Sequence, residues 1–409
     1  MRRILFASYG GFDFPMISPV LPFLREKGYE FAIINRYDLA PSRKQLKGLT
    51  VFQPPDISDR LLSAEEIENA LPTFLDTRSI QHLIPLWRGQ TSGLKYLTGW
   101  SDYYFDFAVE TLHRYKPDLI VLSLGEAETS IVRRACELLS KKYVHLVPQR
   151  YEFKSIETFR APVKATYMVA GEYGKERLIR KGIKRENILV TGNPRFDAMF
   201  ASRNSHIEPA GAERFGSLRG MILRAPRVAE KTILYTLQAV RGEAKLFELL
   251  RRYTSSRKGV RLVLRPHPNL PLRSCLPFIR YLIAEPVSLA LGGTLGGLLR
   301  SADVLVTLWS LTVMEAFIMG LPVISWKSDF FPEEMPFASR GDTMPAHTYA
   351  ELENALDRLL FDPVFRASWV EKHQVCYTPY IGVLDGKAAF RVADAIEALA
   401  EGDTMRRAV

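Results

Sequence analysis

Cysteine is scarce, with Cys136, Cys275 and Cys376 the only three in 409 residues. An odd number at wide spacing writes neither a disulfide framework nor a Cys-x-x-Cys metal site, and it suits a reducing compartment, so a cytosolic location is expected. Long apolar runs are also missing. No uncharged apolar stretch reaches the ~18 residues that cross a bilayer, and Met1 to Ala7 turns into a Gly- and Asp-bearing loop before a signal-type apolar core can form. No integral anchor is therefore expected. There is no RNP-like aromatic strand, zinc finger or basic heptad, so no nucleic-acid partner is expected. No Asp-x-Asp pair stands in a suitable loop, which points away from a metal-bound leaving group, and no metal site or cofactor is expected.

Acidic residues are outnumbered, 45 Asp plus Glu against 55 Lys plus Arg, and the resulting +10 favours an anionic partner such as a nucleotide, a lipid headgroup or a polyanionic glycan. Hydrophobic residues make up 47% and charged residues 24%, a globular composition with room for two or three domains at roughly 150 residues each.

Short apolar runs alternate with amphipathic stretches. Arg3 to Ala7, a Gly-rich turn, a helical segment closing at Gly28 and Phe31 to Ile34 read as a βαβ unit. Residues 41 to 115 break this rhythm and read as an insertion, polar and helical, carrying Trp87, Arg88, Lys95, Tyr96, Trp100, Tyr103 and Tyr104. The alternation returns with strands at Leu119–Leu122, Val144–Val147, Thr166–Ala170 and Ile188–Val190 and helices at Thr129–Lys141 and Lys175–Lys181. The expectation is an α/β fold with a first Rossmann-like domain over 1–200 and a linker over 201–230 that is rich in Arg, Gly, Ser and Pro. A second Rossmann-like domain is expected over 231–385, with strands at Thr232–Thr236, Arg261–Leu264, Val304–Thr307 and Pro322–Ser325. The tail, 386–409, reads as an amphipathic helix with Phe390, Ala393, Ile396 and Leu399 on one stripe.

Two segments place polar groups at strand ends, where open α/β sheets bind ligands. Arg265-Pro-His-Pro-Asn269 follows a buried strand; His267 between its prolines can donate to a phosphate oxygen and Arg265 can neutralise another, or His267 is a loop histidine satisfied by backbone. Ser301 to Ala316 reads strand, turn, helix. Ser310 and Thr312 at its helix start suit an anion, with Glu315 one turn on to accept from a ribose; plain capping by Ser310 with Glu315 as a first-turn acid is the other reading.

These residues carry a resemblance. Val190-Thr-Gly-Asn-Pro-Arg-Phe-Asp-Ala198, Arg265-Pro-His-Pro268, Ala302-Asp-Val-Leu-Val-Thr307 with Ser310 and Glu315, and Gly320-Leu-Pro-Val-Ile324 resemble GT-B glycosyltransferases. The flavour is that of the capsule, teichoic-acid and Kdo or sialic-acid transferases, with non-hydrolysing UDP-N-acetylglucosamine 2-epimerases as relatives. The resemblance implies two Rossmann-like domains facing each other across a cleft, with the tail from Tyr380 to Ala395 crossing back onto the first. It also implies that His267, Ser310 and Thr312 hold the phosphates of a CMP-, CDP- or UDP-linked sugar, with Thr236 and Gln238 beside them. The Asp-Ser-Gly-Gly segment of the epimerases is replaced here by Leu308-Trp-Ser-Leu311, which argues against epimerisation; a sugar-nucleotide epimerase and a non-catalytic nucleotide- or glycan-binding protein are the alternatives to a transferase.

Transfer of a sugar or polyol phosphate to a glycan or lipid-linked acceptor needs a base on the first domain. Asp13, in the loop after the first strand, and Glu126, in Ser123-Leu-Gly-Glu-Ala-Glu128, are the candidates, each with a structural reading as turn residue or helix-start acid. For Trp87 to Phe107 three roles stay open: acceptor contact, rest on an anionic membrane at its inner face, or core packing.

Overall fold

The computed structural model describes residues 2–8, 14–35, 48–53, 100–123, 127–149, 164–203, 222–223, 230–238, 243–267, 286–308, 310–328 and 336–402. The chain divides into two compact units, Met1–Pro194 with Ala388–Val409 and Arg195–Lys387.

The first unit is built on a sheet in the order β3-β2-β1-β4-β5-β6-β7. Its strands are β1 (Arg3–Ser8), β2 (Glu30–Asn35), β3 (Thr50–Phe52), β4 (Leu119–Ser123), β5 (Tyr143–Leu146), β6 (Thr166–Val169) and β7 (Ile188–Val190), and every pairing is parallel. All five residues of β4 are buried. Such an unbroken apolar run is what a strand covered on both faces requires. One face carries α1 (Phe14–Ile17), α2 (Leu21–Glu26) and the C-terminal helix (Ala388–Glu401), whose Val392, Ala393 and Ile396 join Ile4, Phe6 and Val121 in one core. The other carries α3 (Trp100–Tyr115) and α4 (Ala127–Leu138), with Tyr104, Ala108 and Leu112 against Leu5 and Ile120. Beyond β6, α5 (Glu172–Arg180) buries Leu178 against Tyr167 and Ile188.

The tail helix is tied to this unit by polar contacts as well as apolar ones. Lys27 Nζ lies 2.9 Å from Asp394 and 2.6 Å from Glu397, and Arg391 Nε donates to the Thr191 carbonyl at 2.9 Å. Gly192, at φ +82°, lets the helix start close in. Both β3 and α3 fall inside the stretch 41–115 that the sequence suggests is an insertion; one is the edge strand of the sheet and the other supplies core, so these parts belong to the domain itself. The rings of Tyr104, Phe105 and Phe107 pack into that core, whereas 87–99 lie outside the described residues.

In the second unit the order is β14-β13-β12-β9-β10-β11-β8. Its strands are β8 (Ile222–Leu223), β9 (Lys231–Thr236), β10 (Val260–Arg265), β11 (Val287–Ala290), β12 (Val304–Thr307), β13 (Val323–Trp326) and β14 (Met344–Ala346). All pair in parallel except β8, which runs antiparallel to β11 and lies in the segment expected to be linker. Its helices are α6 (Asp197–Arg203), α7 (Glu243–Ser256), α8 (Leu295–Ser301), α9 (Thr312–Ile318), α10 (Tyr349–Phe361), α11 (Pro363–His373) and α12 (Thr378–Ile381). Leu246, Leu250 and Tyr253 of α7 meet Leu352, Leu356 and Leu359 of α10 over one face of the sheet. Thr348 and Glu351 form a capping box that starts α10, and Asp362 accepts from the Phe365 N–H to start α11 behind Pro363. Among the described residues no helix is long and apolar enough to cross a membrane.

Candidate functional site

The polar groups singled out from the sequence on the second unit gather at the carboxyl edge of its sheet. Arg265 pairs in register with Thr236, and Val306 with Tyr235, so Thr307 follows beside Thr236 on the next strand. Residues in register on parallel strands share a face. Thr236 is 6% exposed and Thr307 1%, and among the described residues neither Oγ1 has a hydrogen-bond partner. A buried hydroxyl without a partner is uncommon and calls for a ligand or water to meet it.

The start of α9 adds two more hydroxyls. Ser310 Oγ accepts from the Thr312 N–H at 3.1 Å and donates to Thr312 Oγ1 at 2.9 Å, so the turn entering the helix is held by its own side chains. Every residue from Val313 to Ile318 is buried, which takes Glu315 in with them at 2% exposure. Arg195, just past Pro194, reaches its Oε1 at 2.5 Å; Oε2 is buried and has no partner among the described residues.

Arg265 has a different posture from the one its sequence context suggests. Nη1 donates to the carbonyls of Ala290 and Gly292, both at 3.0 Å, and Nη2 to Gly293 at 3.3 Å. The guanidinium thus holds the loop between β11 and α8, and among the described residues no carboxylate pairs with it. Burial lowers its pKa, though a guanidinium keeps its charge, so a part-buried positive charge bonded to neutral carbonyls lies at the sheet edge. His267 lies two residues past β10, part-buried, and burial pushes its pKa down, favouring the neutral ring with one donor and one acceptor. Gln238, part-buried after β9, donates its backbone N–H to the Glu243 carboxylate at the start of α7.

The structure therefore brings Thr236, Arg265, Ser310, Thr312 and Glu315 to one sheet edge, with Gln238 and His267 on loops leaving it. Asp13 and Glu126 lie outside the described residues. Two participants escaped the sequence reading. Thr307 was legible only as the last residue of a buried strand, and Arg195 stood in a recognised segment without a role, because its partner is 120 residues away. The set combines a cation, hydroxyls and an imidazole, which suit phosphate, with a buried carboxylate oxygen that suits a hydroxyl donor. Among the described residues no three His, Cys, Asp or Glu side chains converge as metal ligands do.

Comparison with protein-family models and with curated proteins gives no match. Solved structures do match over the whole chain. S. aureus MnaA, solved with UDP, superposes with a TM-score of 0.64 at 14% identity, covering 98% of this chain and 97% of that one. The UDP-GlcNAc 2-epimerase of Neisseria meningitidis, bound to UDP-GlcNAc, gives 0.62 at 12% identity over 97% and 99%. CalG4, the calicheamicin glycosyltransferase, gives 0.59 at 16% identity over 100% of both. The fold is thus that of the GT-B glycosyltransferases and the UDP-GlcNAc 2-epimerases, with two Rossmann-like domains.

Proposed function

We propose that this chain is a glycosyltransferase that moves a sugar, or a polyol phosphate, from a nucleotide-activated donor to a surface glycan or lipid-linked acceptor. The observation that carries the donor half is the second sheet's carboxyl edge, where among the described residues no carboxylate pairs with Arg265 and Thr236 Oγ1, Thr307 Oγ1 and Glu315 Oε2 have no partner. Glu315 Oε2 accepts from a ribose hydroxyl, His267 and Thr312 donate to the phosphates, and Ser310 orients the Thr312 hydroxyl by donating to its oxygen. Arg265 contributes charge while its N–H groups hold the loop. Fold neighbours solved with UDP and with UDP-GlcNAc support a nucleotide-sugar as the ligand class.

In this reading the departing nucleotide phosphate is stabilised by these fixed donors, and a first-unit carboxylate, Asp13 or Glu126, takes the acceptor's proton. The +10 charge favours an anionic acceptor or work at the inner face of an anionic membrane. Epimerisation of a sugar nucleotide is the second reading, favoured by the whole-length likeness to the epimerases and opposed by Leu308-Trp-Ser-Leu311.

A thermal-shift series with CMP, CDP, UDP, GDP and ADP identifies the nucleotide, because a ligand bound by the native state alone raises the midpoint. No shift with any of them counts against the whole reading. Incubation of the matching sugar nucleotide alone then separates the two activities: an epimerase turns over, and a transferase waits for acceptor.

A further inference from the structure

Every strand of the first sheet runs the same way, so all of them begin at one edge, opposite the carboxyl edge. The segments that enter β5, β6 and β7 there, 139–142, 164–165 and 181–187, hold Lys141, Lys142, Lys164, Lys181, Lys184 and Arg185 against one carboxylate, Glu186. Neighbouring strands stand about 5 Å apart, so these cations form a row across the edge. Lys142, Lys164, Lys184 and Arg185 are exposed. Glu186 lies 3.7 Å from Lys184, but both side chains are more than two-thirds exposed, and such a pair is worth little. Among the described residues the other five cations have no carboxylate partner.

The rest of the same edge is compensated. Before β1 and β2, Arg2 pairs with Glu401, Arg3 with Glu30, and Lys27 with Asp394 and Glu397. Positive charge is therefore gathered at the β5–β7 end. Helix C-termini attract cations, which accounts for Lys141 behind α4 and Lys181 behind α5. It does not account for Lys164, Lys184 and Arg185, which precede strands. An apolar side chain joins the row. Because α4 returns the chain to the start of β5, its last residue, Leu138, comes to this edge, and it is 65% exposed.

A soluble polyanion would satisfy the cations and leave Leu138 in water. An anionic bilayer satisfies both, with charged headgroups at its surface and hydrocarbon beneath. We propose that the amino edge of the first sheet, from β5 to β7, docks on an anionic lipid bilayer. In that orientation the carboxyl ends of these strands face away from the lipid. The docking rests on charge and exposure; it rests on the nucleotide-sugar reading above only for what the docked protein does.

Co-sedimentation of the full chain with vesicles tests it, using phosphatidylcholine alone and phosphatidylcholine with roughly one-third phosphatidylserine. Binding is expected only to the anionic vesicles and should fall with added salt. Replacing Lys142, Lys164, Lys184 and Arg185 by Gln should weaken it roughly fivefold for each cation lost. Lys258→Glu with Lys372→Glu, exposed positions on the second unit that match the fourfold variant in net charge, should leave it unchanged. Leu138→Ser should weaken vesicle binding roughly three- to tenfold and leave binding to heparin, a soluble polyanion, as it was. Melting curves establish that the variants are folded, and Lys184→Gln with Arg185→Gln alone decides the matter if the fourfold variant is not. The proposal is overturned if anionic vesicles are not bound at low salt, if the folded Gln variant binds them as the parent does, or if the second-unit pair loses as much. Heparin binding that depends on the row while Leu138→Ser changes nothing would likewise overturn it, in favour of a soluble polyanion. Titration of UDP and the other nucleotides without vesicles reports on the nucleotide-sugar reading separately: vesicle binding without nucleotide binding removes that reading alone, and nucleotide binding without vesicle binding removes this proposal alone.

Discussion

Arg195 holds one carboxylate oxygen of Glu315 at 2.5 Å and leaves the other buried, without a partner among the described residues. The pairing explains how a carboxylate is tolerated inside a helix whose neighbours are all apolar: one oxygen is met by a guanidinium that is itself 41% exposed, so that cation keeps much of its hydration. The free oxygen is then a fixed acceptor. Replacing Glu315 by Gln keeps the shape and removes the charge. Nucleotide affinity is expected to fall about tenfold, the scale of one hydrogen bond to a charged group. Calorimetric titration with UDP and CDP measures this, and an unchanged dissociation constant would remove Glu315 from the site.

His267 stands two residues past the strand that carries Arg265, directly after Pro266. His267→Ala is expected to weaken binding of a nucleoside diphosphate by ~1.5 to 3 kcal/mol, the cost of a charge-assisted hydrogen bond. The corresponding nucleoside, which lacks phosphate, should bind the variant and the parent alike. Equal losses for both ligands would show that the imidazole acts on the loop's shape and not on phosphate.

Gly192 adopts a left-handed backbone, φ +82°, and a Cβ there would stand 2.9 Å from Ala388 Cβ and 3.0 Å from the Arg391 guanidinium. Two separate costs arise for Gly192→Ala, the left-handed conformation at roughly 1–2 kcal/mol and the displacement of the tail helix. Urea unfolding should show a lower midpoint, with destabilisation of about 2 kcal/mol or more. Ala388→Gly in the same chain should recover part of the loss, since it removes the atom the new methyl meets.

His145, in the middle of the first sheet, stacks on Tyr167 with ring centroids 5.0 Å apart and packs edge-on against Tyr143. Burial lowers its pKa to about 3, with a smaller push from Arg133. The unfolded chain binds a proton on this ring below about pH 6.5 and the folded chain does not until about pH 3, so the contribution is complete above 6.5 and is lost as pH falls through that interval. At pH 5 the loss from this ring is about 2 kcal/mol. His145→Phe retains an aromatic ring and removes the titration. Denaturation midpoints from pH 7 to 5 should therefore fall more steeply for the parent than for this variant, and parallel profiles would refute the account.

The strand-and-helix alternation and the two polar strand ends were legible in the sequence because both are local. Leu119-Ile-Val-Leu and Val304-Leu-Val-Thr are too short and too apolar for exposed elements, and Arg265-Pro-His-Pro has to leave the sheet at its carboxyl edge. Short edge strands were not legible. Thr50–Phe52, Ile222–Leu223 and Met344–Ala346 have two or three residues each, too few for a periodic signal, and they become strands only because a neighbour's open edge offers hydrogen bonds. Tertiary structure alone also decided which donors are occupied. Sequence supplies Arg265 with a charge, but only the folded loop at Ala290, Gly292 and Gly293 commits its N–H groups to carbonyls. Likewise, only the approach of Arg195 from 120 residues away leaves Glu315 with one oxygen paired and one waiting. Composition and periodicity constrain what each segment is; the partners of a buried polar atom depend on which distant segments the fold sets against it.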